Sequence, residues 1–412
     1  MSIKFVNTPS LEGMDAQITP VVGENPLCRI PSVRALYTAV SRQELMDHKP
    51  GTVQGFVLAF EEGLKNIVFA NLDCRHDHFK LVNTVAEAVR TAVEMHSQNI
   101  FVPVGTDFTD EEVSLICQGL MIGAYRFDLY KTEKSPKVRF TVYSERDYSA
   151  AVQNGKMLGE CTNLARDLVN TPGSDMTPVV LAQKAAAQAE LCGVKYEIFD
   201  EFEIEKMGMG SFLAVARGSV NPPRLIVLRY QGDPENDSTV ALVGKGITFD
   251  TGGYDIKDDE SMSTMKSDMG GAAAVIGAVL AIARAGIKAN VTAVVAACEN
   301  RVSGNAYLPG DVLRTMSGKT VEVINTDAEG RLTLIDAVTY AVQKENAFAV
   351  IDIATLTGGQ VVSLGYRYAA LISDSKVLTE MIQKASAACG EKVWQMPADE
   401  LFLEPMKTST IA

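Results

Sequence analysis

At 412 residues, with 47% hydrophobic and 22% charged residues, the chain has the make-up of a soluble globular protein and the length for two or three domains. A formal net charge of −13 and the lack of any Lys/Arg-rich run argue against a nucleic-acid partner, which needs a basic footprint. Seven cysteines, an odd number scattered singly without Cys-x-x-Cys, exclude a disulfide framework.

The opening Met-Ser-Ile-Lys-Phe-Val-Asn lacks the charged-then-apolar layout of a secretory signal, so a cytoplasmic location is expected. Runs at 56–60, 67–70, 100–103 and 138–143 read as strands from their β-branched and aromatic content. Val85, Val89, Ala92 and Val93 recur at helical spacing between them. Thr109-Asp-Glu-Glu112 is a capping box that starts a helix running to about Arg126. No chemistry stands out here, and residues 1–148 are expected to form a small α/β domain with a role in assembly. All four histidines, His48, His76, His78 and His96, lie in this part. His76 and His78 flank Asp77, but nothing supplies further metal ligands, and a solvated loop is the expected reading. The lack of histidine beyond position 96 excludes Ser-His-Asp and Cys-His catalysis in the later portion.

A helix over 149–170 ends at Asn170-Thr-Pro-Gly173, and the domain boundary is placed just before it. Thr177-Pro178 starts the next helix. Apolar runs at 194–199, 225–229, 240–243, 291–297, 321–324 and 348–353 then alternate with helical patterns at 270–286, 329–343 and 377–388. The small-apolar run 270–283 is too short to span a bilayer and reads as a buried helix, so no membrane association is expected. The alternation predicts an α/β fold whose second domain, 149–412, carries a largely parallel sheet covered by helices. In such sheets ligands gather outside the carboxyl ends of the strands. Asp250 follows the run 240–243, Asp327 follows 321–324 and Thr355 follows 348–353.

The chemistry-bearing stretch is Asn325-Thr-Asp327-Ala-Glu329-Gly-Arg331-Leu, joined upstream by Lys245-Gly-Ile-Thr-Phe-Asp250-Thr-Gly-Gly, Lys257 and Lys266-Ser-Asp268. Each part has a plainer reading. Thr326-Asp-Ala-Glu329 is also a capping box, and Asp268 could be an N-cap for the helix behind it. Asp250-Thr-Gly matches the aspartic-protease triplet, but that class needs two such aspartates in a mostly β fold. Gly244-Lys245 fails as a phosphate loop, because Thr239 and Gly246 stand where Gly and Ser/Thr are required. Taken together, Asp250, Asp268, Asp327 and Glu329 offer four carboxylates. Two divalent ions about 3.5–4 Å apart need such groups to offset their repulsion, and a water between them becomes a nucleophile near neutral pH. Oxygen ligands suit Mn²⁺ and Mg²⁺ and are accepted by Zn²⁺.

Asn-Thr-Asp-Ala-Glu-Gly-Arg-Leu resembles the signature of the leucyl aminopeptidase family, the M17 metallopeptidases. The stretches 243–253 and 265–273 are similar to that family's other core motifs, as are Asn170-Thr-Pro and Ala354-Thr-Leu-Thr-Gly358, and Gly-Gly-Tyr254 is closest to peptidase B-type members. The resemblance covers about 160–400. It implies an exopeptidase that releases N-terminal residues from peptides through a dimetal-activated water. By the family's motifs, Lys245, Asp250, Asp268, Asp327 and Glu329 hold two divalent ions, Mn²⁺ or Zn²⁺, with Lys245 ligating as the neutral amine. Lys257 polarises the scissile carbonyl, and Arg331 holds a bicarbonate as general base. Met265, Thr355, Leu356, Thr357 and Gly358 line the pocket for the first side chain. The implied partners are peptides with a free N-terminus and further copies of the chain in a homo-hexamer. Family members continue past the segment matching Val393-Trp-Gln-Met-Pro397, so the C-terminal end of the catalytic domain is expected to be missing here. The alternative is a shortened, catalytically impaired subunit.

Overall fold

The computed structural model describes residues 1–28, 30–61 and 63–412 and divides into two compact units, one comprising 1–163 and 363–397, the other 164–362 and 398–412. The first unit is built on a seven-stranded sheet. Its path runs Ser2–Val6, Arg139–Tyr143, Asn99–Pro103, Ala16–Val22, Gly63–Asn71 and Val53–Phe60. All neighbours on this path are parallel except the last pair, a hairpin. Helices His78–Glu94 and Asp110–Gly123 bury Leu81, Val85, Val89, Ile116 and Leu120 in a core with Ile18, Val68, Ile100 and Phe140. The capping box at Thr109 forms as its sequence predicts, each partner accepting the other's backbone N–H. Asp77 is not merely part of a solvated loop. It caps the helix that His78 begins, accepting from Lys80 N at 3.0 Å.

The second unit carries a five-stranded sheet. Its strands are β1 (Lys195–Phe199), β2 (Arg224–Gln231), β3 (Thr239–Asp250), β4 (Asn290–Asn300) and β5 (Ala347–Ile353), in the order β5-β3-β4-β2-β1. The pairs β3–β4 and β3–β5 are parallel, whereas β4–β2 and β2–β1 are antiparallel. The predicted parallel sheet is thus a parallel centre with an antiparallel flank. The run 321–324 is a further difference. It contributes Thr320–Glu322 to a separate two-stranded ribbon with Val312–Arg314, not a strand to the main sheet.

Helices α1 (Pro178–Leu191), α2 (Gly270–Arg284) and α3 (Glu329–Gln343) flank this sheet, and the shorter helix Gly210–Ala216 packs on it through Phe212 and Val215. Ala241, Val243 and Ile247 on one face of β3 pack with Leu332, Ala337 and Ala341 of α3. Strand alternation puts Lys245 on that same face and Gly244 on the other, where a Cβ would lie 2.7 Å from Ala272 of α2. So β3 is sandwiched between α2 and α3. The stretch Met265–Arg284 is apolar and long enough to cross a membrane, but Ala272, Ala273, Val275, Ile276, Val279 and Leu280 are buried, as in a core helix.

Candidate metal centre

The site assembles where β3 and β4 end together, with Asp250 in register with Asn300. A register shift between Ile247 and Phe249 marks a bulge just before Asp250, and bulges re-aim the side chains that follow them. Asn300 Nδ2 donates to Asp250 Oδ1 at 2.8 Å and to the Thr326 carbonyl at 3.1 Å. Gly252 N donates to the same Asp250 oxygen at 2.9 Å. Gly252 has φ 85°, and a Cβ there would stand 2.4 Å from Asp255 O and 3.0 Å from Asp327 Oδ1. Only glycine fits that turn without strain.

The turn then delivers Lys257, whose Nζ lies 2.8 Å from Asp250 Oδ2 and donates to Asp327 Oδ1. Asp327 rides on a short 3-10 turn, Thr326–Ala328, capped by Asn325, which accepts from Asp327 N at 2.6 Å. Thr326 does not cap α3 as a capping box requires. Its hydroxyl donates to Gly252 O at 2.7 Å, and its N–H donates to Asp255 Oδ2 at 2.7 Å, tying the two acidic segments together. Asp268 does not cap α2 either, where Met269 is the N-cap residue and no side chain caps.

Lys245 is 3% exposed. Its Nζ lies 2.7 Å from Glu329 Oε1 and 2.9 Å from Asp268 Oδ2, and donates to Thr355 O at 2.9 Å. Thr355 Oγ1 donates to Asp268 Oδ1 at 2.7 Å, so the loop after β5 closes one side. Gly330 leaves room for the lysine stem; a Cβ there would stand 2.7 Å from Lys245 Cε.

Burial opposes the charge on Lys245, but Asp268 and Glu329 outweigh it and raise its pKa. Lys257 behaves alike, with Asp250 and Asp327 overcoming burial. Burial pushes the Asp268 carboxyl up to about 7, with Lys245 pulling it back and the like charge of Glu329 adding to the rise. Glu329 is raised by burial against the pull of Lys245. These acids are therefore held at a cost.

Three features fit a divalent cation cluster. Asp250, Asp327 and Glu329 each present a carboxylate oxygen within 4.8 Å of the others. Glu329 Oε2 and Asn300 Oδ1 are buried without a hydrogen-bond partner among the described residues, as is Asp268 Oδ2 despite lying close to the Lys245 ammonium. Buried acceptors left without donors are expensive, and cations offset both that cost and the mutual repulsion of the acids. The donors are oxygens, which suit Mn²⁺, Mg²⁺ and Zn²⁺.

The sequence pattern of the cytosol aminopeptidase family, catalytic domain, matches residues 163–412. The chain belongs to the cytosol aminopeptidase family. A probable cytosol aminopeptidase of Clostridium perfringens is 40% identical over 410 residues, spanning 96% of this chain and 83% of that one. One from Alkaliphilus metalliredigens is 44% identical over 342 residues, 80% of this chain and 68% of its own. Among solved structures, the bottromycin maturation enzyme BotP in complex with Mn is similar with a TM-score of 0.84 at 28% identity, covering 96% of this chain and 84% of its own. The resemblance to leucyl aminopeptidases therefore holds at the level of family and fold.

Of the residues named from the family motifs, Lys245, Asp250, Lys257, Asp268, Asp327 and Glu329 converge through these contacts. Arg331 lies in the first turn of α3, exposed and without an ion pair among the described residues. Met265 opens a 3-10 turn just before Asp268; Leu356 and Thr357 follow Thr355 in the exposed loop after β5, and Gly358 opens the short helix Gly358–Leu364. Sequence reasoning missed Asn300, Asp255 and Tyr307, whose hydroxyl donates to Thr326 O at 2.7 Å. Nothing local marks them, because their partners lie 19 to 71 residues away.

Proposed function

We propose that this peptidase is a dimetal aminopeptidase that releases N-terminal residues, of the leucyl type, from peptides. The observation that carries the reading is the convergence of Asp250, Asp327 and Glu329 around shared space, with Glu329 Oε2 left without a donor. Lys245, Asp250, Asp268, Asp327 and Glu329 would hold two divalent ions, Mn²⁺ or Zn²⁺. Such ions supply Lewis-acid polarisation of a carbonyl and acidify water at neutral pH. The Mn in the BotP complex supports divalent metal use here as well.

The chain's own residues do the rest. The carboxylates hold a proton on Lys245, so ligation by its neutral amine requires positive charge brought close to Nζ. Lys257 stays cationic between Asp250 and Asp327 and can donate to the scissile carbonyl oxygen as negative charge develops on it. Arg331, exposed and with no carboxylate partner among the described residues, is available to hold a bicarbonate that accepts a proton. Met265 and Thr355 to Gly358 would contact the first side chain, and the acidic cluster favours a free, cationic N-terminus. A cytoplasmic location and a homo-hexamer belong to the same proposal; sedimentation of the purified chain tests the second.

The deciding experiment is release of leucine from a leucyl peptide with Mn²⁺ or Zn²⁺, with and without a chelator. Release that the chelator stops supports the reading. No release from soluble, metal-loaded protein overturns it in favour of a catalytically impaired subunit.

A further inference from the structure

The first unit contains a surface cleft that the peptidase chemistry does not use. A cleft of about 510 Å³ is lined by Glu24, Arg34, Tyr37, Ser41, Arg42 and His48. Most of these residues come from the helix Pro31–Arg42, where positions 34, 37, 38 and 41 share one face. Tyr37 is 4% exposed and anchored by ring contacts with Phe69 and His48. Its hydroxyl nevertheless has no hydrogen-bond partner of good geometry among the described residues, and neither has Ser41 Oγ. Burial raises the phenol pKa against a smaller pull from the nearby Ser41 hydroxyl, and the negative charges of Glu24 and Asp73 add to the rise, so Tyr37 is a neutral donor at pH 7. Arg34 gives its Nε to the Cys28 carbonyl, and neither it nor Arg42 has an ion pair among the described residues, in a chain of net charge −13.

The donors outnumber what a planar carboxylate can accept. Two guanidinium forks and two hydroxyls suit a doubly charged tetrahedral oxyanion, whose several oxygens each accept charge-assisted bonds. The volume is in the range of small-molecule sites and exceeds a bare phosphate. Glu24 in the lining and Asp73 nearby repel an anion, and Glu24 can accept from hydroxyls on the body of an ester. We propose that this cleft binds a small hydroxylated phosphomonoester, at a site separate from the carboxylate–lysine cluster.

The test is titration of the metal-stripped full chain with glycerol phosphate and, in a second arm, inorganic phosphate, read by calorimetry. Removing metal keeps phosphate from binding through divalent ions. One saturable site per chain is expected, tighter for the ester than for inorganic phosphate. Arg42→Glu, on an exposed position, should weaken it by at least about ten-fold, the loss of a charge-assisted bond. Tyr37→Phe removes a hydroxyl whose neighbour is the Ser41 hydroxyl, without a hydrogen bond of good geometry, so it should weaken binding several-fold while changing the melting temperature of the free protein little. Arg331→Ala should leave the titration as it was. No saturable binding in the tens of millimolar overturns the site, as does binding lost in Arg331→Ala but kept in Arg42→Glu. Equal affinity for both probes overturns the ester.

Discussion

Asn300 Nδ2 reaches Asp250 Oδ1 at 2.8 Å across two neighbouring parallel strands, and the same amide holds the Thr326 carbonyl at 3.1 Å. One buried side chain thus aims a carboxylate from one acidic segment and fixes the backbone that leads to Asp327. Supporting groups of this kind are worth about 10- to 100-fold in metal affinity. Asn300→Ala should therefore weaken Mn²⁺ or Zn²⁺ binding by that order, read by metal titration. Asn300→Asp should be at least as damaging, since it places a like charge against Asp250. Unchanged affinity in both variants would remove Asn300 from the site.

Gly330 tests the lysine. A Cβ would stand 2.7 Å from Lys245 Cε, 2.8 Å from Nζ and 2.9 Å from Cδ. Two effects compete in Gly330→Ala. Alanine stabilises a helix by about 1 kcal/mol over glycine, while the clash displaces a flexible side chain that shifts cheaply. Stability should change by no more than about 1 kcal/mol either way. Activity should fall at least about ten-fold, because sub-ångström placement governs such sites. A melting curve beside a peptide-release assay separates the two.

Much of the site is legible in the sequence because each of its motifs is short and local. Asp250 ends an apolar strand, and Asp327 and Glu329 immediately precede or open a helix, so runs and spacing reveal them. Their plainer readings fail for long-range reasons. Thr326 looks like a capping residue, yet its hydroxyl is taken by Gly252, 74 residues away. Asp268 looks like an N-cap, yet Lys245 and Thr355 engage it. The sheet shows the same limit. The run 321–324 has strand composition, but pairing with Val312–Arg314 takes it out of the main sheet. Likewise β1 and β2 are joined through two short helices, as a parallel crossover would be, yet they pair antiparallel. Composition reports that a segment is extended; register and direction depend on partners elsewhere in the chain.

Two aspartates in comparable sequence settings should separate cleanly. Asp77 caps a helix through Lys80 N, so Asp77→Ala should cost about 1 kcal/mol of stability and leave turnover intact. Asp327 faces Lys257 and shares space with Asp250 and Glu329. Asp327→Ala should abolish metal-dependent release of leucine while the far-UV spectrum is kept. Turnover in Asp327→Ala near that of the parent would sink the site assignment.

Asp336, fully buried on α3, gives a pH signature distinct from the metal cluster. Its Oδ2 accepts from Phe212 N at 2.9 Å and its Oδ1 from Met316 N at 2.8 Å, bracing α3 against two separate segments. Burial raises its pKa, and the backbone donors oppose that rise without cancelling it. The folded chain then holds this proton more tightly than the unfolded chain. The stability tied to protonation is fully present below the ordinary carboxylate value of about 4 and is lost as pH rises through the raised value. Asp336→Asn cannot titrate, and it turns an amide donor toward one of the backbone N–H groups. The substitution should cost about 1–3 kcal/mol, with the gap between parent and variant largest at the acid end and narrowing as pH rises. Urea unfolding of both chains with chelator present, across pH 4 to 8 (a range set by the ordinary value of about 4), checks this; a gap that widens with pH would reverse the assigned direction.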